Sequence, residues 1–128
     1  MTDKSSLTIL IVDDEPDIVE LLDEEFSFHG YKTVTALCGK DAVKILEDQG
    51  VSAVVSDYKM PNGNGMFVLD FVNSMESAAR PDFFFVSGQA DVSVQEALAA
   101  GAKKFFSKPF DLEQLILDVE AEIKPRLA

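Results

Sequence analysis

Apolar and polar positions along the chain fall into blocks whose period switches repeatedly, and the switches predict the elements. Leu7 to Val12 is a near-continuous apolar run that stops at Asp13-Asp14, the pattern of a strand covered on both faces. Helical spacing follows: Ile18, Leu21, Leu22 and Phe26 form an inward stripe, Pro16 suits the first turn and Gly30 stops the helix. Tyr31 to Leu37 reads as a second strand. Gly39 to Gln49 is a short helix with Ala42, Val43, Ile45 and Leu46 turned inward, closed by Gly50. Val51, Ala53, Val54 and Val55 build a third strand that ends at Asp57, before a loop carrying Pro61, Gly63 and Gly65.

Val68, Phe71, Val72 and Met75 return to helical spacing, and Pro81 opens a fourth strand, Asp82 to Val86, ended by Ser87-Gly88. Asp91 to Ala100 is an alanine-rich helix with Val94 and Leu98 as its large apolar anchors, so it should be loosely held and able to shift. Gly101 ends it. Lys103 to Ser107 is a fifth strand that stops at Lys108-Pro109-Phe110. In the last helix, Asp111 to Lys124, Leu112, Leu115, Ile116, Val119 and Ile123 share a stripe, while Leu117 lies off it as an exposed leucine or a contact for a partner.

Five strands alternating with five helices predict an α/β fold, a doubly wound parallel sheet with right-handed crossovers. The 128 residues form one domain with its core over about 7–124. In such sheets the reactive site lies outside the carboxyl ends of the strands. Asp13, Asp14, Asp57, Ser87 and Lys108 all stand at such ends and should face one crevice.

Composition narrows the function classes. The net charge of −12 argues against direct nucleic-acid binding, which needs a basic surface. No apolar run approaches membrane-spanning length, and Met1 to Ser6 lacks the apolar core of a signal peptide. The single cysteine, Cys38, excludes an internal disulfide and fits a reducing cytoplasm; it reads as an inert thiol. His29, before Gly30, reads as an ordinary helix-end histidine.

Three gathered carboxylates repel one another, and a divalent cation removes that conflict. Oxygen ligands without histidine or cysteine suit Mg²⁺ better than Zn²⁺, with Mn²⁺ as a substitute. Cation, ammonium and hydroxyl around one carboxylate make an arrangement for holding a phosphoryl group. Asp57 could attack phosphorus and become an acyl phosphate, with Lys108 and the cation neutralising the phosphoryl oxygens and Ser87 donating a hydrogen bond.

Asp13-Asp14, Asp57 with Met60-Pro61 and Gly65 behind it, Ser87-Gly88 and Lys108-Pro109-Phe110 together resemble the receiver domain of two-component response regulators, from about Leu7 to Lys124. The resemblance implies a flavodoxin-like sheet of strand order 2-1-3-4-5. It implies that Asp57 accepts phosphate from a sensor histidine kinase or phosphotransfer protein. Asp14, Asp57 and the backbone carbonyl of Lys59 would bind Mg²⁺ directly, and Asp13 would act mainly through metal-bound water. Lys108 would pair with the phosphate and Ser87 would move toward it. Phe105 matches the aromatic switch position, where the family often has tyrosine, so its inward and outward rotamers would differ by packing alone. The Lys108-Pro109 bond would be cis. The face of the fourth helix, fifth strand and fifth helix would then be remodelled for a partner or a second copy. Lys59 and Gln89 would border the attacking water and tune dephosphorylation.

Other readings stand beside this one. Asp13-Asp14-Glu15 could cap a helix and Lys108-Pro109 could end a strand. A phosphatase of the haloacid dehalogenase type also uses an aspartate nucleophile with Mg²⁺, but on the first strand with a second aspartate two residues on, where this chain has Glu15. A receiver that binds partners without phosphorylation is the third reading. Pro125-Arg126-Leu127-Ala128 closes the sequence, so it would act alone or as part of something longer.

Overall fold

The computed structural model describes residues 4–88 and 94–127. Its strands are β1 (Thr8–Val12), β2 (Lys32–Ala36), β3 (Ala53–Asp57), β4 (Asp82–Ser87) and β5 (Lys104–Ser107). Helices α1 (Pro16–Phe28), α2 (Gly39–Asp48), α3 (Gly65–Ser74), α4 (Val94–Ala99) and α5 (Leu112–Ile123) alternate with them. The strands pair in parallel in the order β2-β1-β3-β4-β5, the doubly wound arrangement expected.

Successive strand residues face opposite sides of a sheet, so each central strand feeds two cores. Ile9, Ile11, Val55, Phe84 and Val86 pack with α1 and α5. Leu10, Val12, Val54, Phe83 and Phe85 pack with α2, α3 and α4. This double burial is why β1, β3 and β4 are nearly uninterrupted apolar runs, whereas the edge strand β2 alternates polar and apolar residues. Asn64 and Asp111 cap α3 and α5 by accepting hydrogen bonds from Phe67 N–H and Gln114 N–H, each at 3.0 Å.

Three helix faces differ from the sequence expectation. On α1, Leu21 is 40% exposed and Val19 takes the buried place beside Leu22 and Phe26. The helix carries more apolar residues than one stripe needs, and contact with the sheet selects Val19. Leu21 is left in a shallow cleft with Ile18, Pro109, Phe110 and Leu112. On α3, Leu69 joins Val68 and Val72 in the core, while Phe71 and Met75 are half-buried. On α4, Val94 and Leu98 are not anchors; both are largely exposed, and Ala97 is the residue the sheet covers. Within α4, Ala97 is thus the fully buried side chain, and Val94 and Leu98 are only partly covered.

The register sets the site. Val12 lies opposite Ser56, Asp57 opposite Val86, and Ser87 opposite Ser107, so β1, β3, β4 and β5 end at one edge.

Candidate functional site

Backbone bonds continue just past the strands and fix the residues that follow them. Asp13 N–H donates to Ala36 O at 3.2 Å, Tyr58 N–H to Val86 O at 3.1 Å and Lys108 N–H to Ser87 O at 2.8 Å. Asp13, Asp57 and Lys108 are thus delivered by separate strands to one place. Behind Asp57 the chain passes so close that a Cβ on Gly65 would come within 2.4 Å of the Asp57 carbonyl oxygen, which only glycine permits.

Lys108 Nζ stands 3.0 Å from Asp13 Oδ2, 3.4 Å from Glu15 Oε1 and 3.5 Å from Asp57 Oδ2. Asp13 also accepts a bond from Glu15 N–H at 2.9 Å. Asp13 and Asp57 are buried, Asp14 and Glu15 exposed. Asp14, Glu15, Asp57, Lys59, Gly88 and Lys108 line a cleft of about 240 Å³, so the buried Asp57 carboxylate is reached from it.

Too little positive charge serves these acids. Burial pushes the Asp57 carboxyl up to about 6, the charges of Asp13 and Asp14 add to the rise, and Lys108 opposes it. Burial likewise raises Asp13, against the Glu15 N–H bond and the Lys108 ammonium. For Lys108, burial would lower the pKa, but the Asp13 bond and the charges of Asp13, Asp57 and Glu15 outweigh it and raise the value.

Carboxylate oxygens of Asp13, Asp14, Glu15 and Asp57 lie within 4.8 Å of one another. An all-oxygen set this close, partly buried and open on one side, fits a small hard cation such as Mg²⁺. Glu15 is the member not expected from the sequence as part of the site. Its only signal was adjacency to Asp13-Asp14, which equally suits the first turn of a helix.

Other expected site residues are placed as follows. Lys59 lines the cleft, exposed. Ser87 is buried at the end of β4, one residue beyond the partner of Asp57. Phe105 is half-buried, its ring 6.0 Å from Phe85 and 6.2 Å from Tyr58. The Lys108-Pro109 bond is cis. Gln89 lies outside the described residues.

Comparison with known proteins identifies the family. Residues 9–120 match the response regulator receiver domain family. The chain is 31% identical over 109 residues to the response regulator SaeR of Staphylococcus epidermidis, covering 85% of this chain and 47% of that one. It is 33% identical over 113 residues to SaeR of Staphylococcus aureus, covering 87% and 48%. It thus spans about half the length of these curated relatives. The fold is similar to that of the Francisella response regulator 1452 receiver domain, with a TM-score of 0.83 at 24% identity over 94% of this chain and 98% of that one. It is also similar to NtrX from Brucella abortus, with a TM-score of 0.82 at 28% identity over 92% and 27%. With the family matched over most of its length, this chain belongs to the receiver domains of two-component response regulators.

Proposed function

We propose that Asp57 is the phosphoacceptor of a signalling switch, charged by a phosphohistidine on a sensor kinase or phosphotransfer protein. The observation that carries this reading is Lys108 Nζ bridging Asp13 and Asp57 beside a cluster of four carboxylates. An Asp57 carboxylate oxygen attacks phosphorus, the phosphorus–nitrogen bond of the donor breaks, and the imidazole leaves. The product is an acyl phosphate.

Asp14, Asp57 and the Lys59 carbonyl would hold Mg²⁺, or Mn²⁺ in its place, with Asp13 acting through water. When bound, the cation supplies charge neutralisation for the transferred oxygens. Lys108 exchanges part of its bonding to Asp13 and Asp57 for a phosphoryl oxygen, and Ser87 donates its hydroxyl to the same group. Movement of Ser87 vacates space for the Phe105 ring, whose present neighbours are Tyr58 and Phe85. That shift remodels the face of α4, β5 and α5, where a single buried alanine holds α4, and the face then binds a partner or a second copy. A preference of roughly 3–5 kcal/mol moves such a switch from mostly off to mostly on. Lys59, at the cleft, and Gln89, assigned by its place in the sequence, tune the loss of the phosphoryl group.

The chain in this reading catalyses only its own phosphorylation and dephosphorylation, works in the cytoplasm and does not itself bind nucleic acid. Its net charge of −12 and unpaired Cys38 support that placement, and no helix among the described residues is long and apolar enough to cross a membrane. The test is turnover of acetyl phosphate with Mg²⁺. A stoichiometric burst of one phosphoryl group per chain followed by slow release is expected. Rapid clearance of many equivalents would mean a phosphatase, and no reaction would mean a phosphorylation-independent binding module.

A further inference from the structure

The loop that follows Asp57 is held by a segment that brings no side chain to the site. Gly39 N–H, at the first turn of α2, donates to Gly63 O at 2.9 Å, and Lys40 N–H donates to Asn62 O at 3.3 Å. These are N–H groups that a helix start leaves without partners inside the helix, and here loop carbonyls satisfy them. Asn62 (φ 56°) and Gly63 (φ 98°) are both left-handed, which turns their carbonyls toward α2. The near end of the same loop is closed by Gly65 N–H donating to Tyr58 O at 2.8 Å. Between these ties lie Lys59 and the buried Met60.

The two backbones touch because Gly39 has no side chain. A Cβ there would sit 2.3 Å from Gly63 O and 2.7 Å from its carbonyl carbon, with no flexible atom to give way. Phe67 closes the far side, 3.0 Å from where a Cβ on Gly63 would stand. Gly50, at the other end of the same helix, has nothing within 4 Å of such a position. Close backbone approach is therefore a property of one end of α2, the end that meets the loop.

We propose that Gly39 is a positioning residue for the cation and phosphoryl site. By letting the junction of β2 and α2 bond directly to Asn62 and Gly63, it sets where the loop carries the Lys59 carbonyl beside Asp57. This inference rests on the function proposed above. A substituted Gly39 pushes the loop away, and the site loses cation affinity while Asp13, Asp14, Asp57 and Lys108 keep their identities.

The experiment is a Mg²⁺ titration of the full chain followed by backbone amide NMR, on wild type and on Gly39→Ala, Phe67→Ala and Gly50→Ala. Gly39→Ala is expected to weaken Mg²⁺ binding about 10- to 100-fold, the usual effect of removing a group that orients metal ligands. In the metal-free protein the Gly65 amide should exchange faster in that variant, while amides of β1 and β4 keep their protection. Phe67→Ala, at an exposed position, should weaken binding less in the same direction, and it decides the matter if Gly39→Ala does not fold. Gly50→Ala should bind as wild type does. Wild-type Mg²⁺ affinity in Gly39→Ala, or in Phe67→Ala where that is the folded variant, would overturn the inference alone. Absence of Mg²⁺ binding by the wild-type chain would instead overturn the functional reading on which it rests.

Discussion

The two ends of the sheet treat their carboxylates in opposite ways. At the amino end, Glu120 on α5 accepts from the Tyr31 hydroxyl at 2.8 Å and lies 3.0 Å from Lys4 Nζ and 3.5 Å from His29 Nδ1. Arg126 likewise reaches Asp82 at 3.0 Å. At the carboxyl end, Lys108 faces three acids, Asp13, Glu15 and Asp57, and Asp14 joins the same carboxylate cluster. Burial would raise Glu120, but its bonds from Lys4 and Tyr31 hold it below the usual glutamate range, whereas Asp57 is pushed up to about 6. One end satisfies its charges with its own side chains and stabilises the fold. The other leaves its acids short of positive charge, the feature on which the proposed cation and phosphoryl site rests.

Removing Lys108 sharpens that contrast most. Lys108→Ala leaves Asp13 and Asp57 buried without their cation and should cost the metal-free protein roughly 2–4 kcal/mol in urea unfolding. Mg²⁺ should restore part of the loss. A cost no larger than that of an exposed lysine would break the comparison.

Asp57→Asn should act in the reverse direction. With its folded pKa about 6, above the ordinary 3.8, Asp57 contributes stability that is fully present below the ordinary value and lost as pH rises through about 6. The metal-free wild type should therefore lose about 2–3 kcal/mol from this group on going to pH 7 and above. The asparagine variant should lack that slope and be the more stable protein at neutral pH. Glu120→Gln should destabilise by about 1 kcal/mol, because bonds to a charged acceptor weaken. Its sign is opposite: a lowered pKa gives stability present above the ordinary glutamate value and lost as pH falls through the folded one. Equal slopes in the two variants would erase the distinction between the ends. Leu117→Ser, at a residue 52% exposed, should change stability by less than about 0.5 kcal/mol and serves as the neutral reference.

What was legible in the sequence follows from how local each signal is. The strand ends carrying Asp13, Asp57, Ser87 and Lys108 could be read because a run of buried residues stops abruptly at a polar one, and the topology then brings such ends together. Helix rotation could not, since Leu21 and Val19 are equally apolar and the choice between them is made by the sheet. The same holds for α4, where Ala97 rather than Val94 or Leu98 meets the core. Glu15 looked like a helix-start acid because charge alone does not say which way a side chain turns. Contact between Gly39 and Gly63, 24 positions apart by their numbering, leaves no local trace beyond two glycines that turn chemistry would explain as well.

The most direct test is the intact mass of the chain after incubation with acetyl phosphate and Mg²⁺, alongside Asp57→Asn. The account predicts that the wild type gains one phosphoryl group and the variant gains none. An unchanged wild-type mass, or an equal gain in the variant, would contradict it.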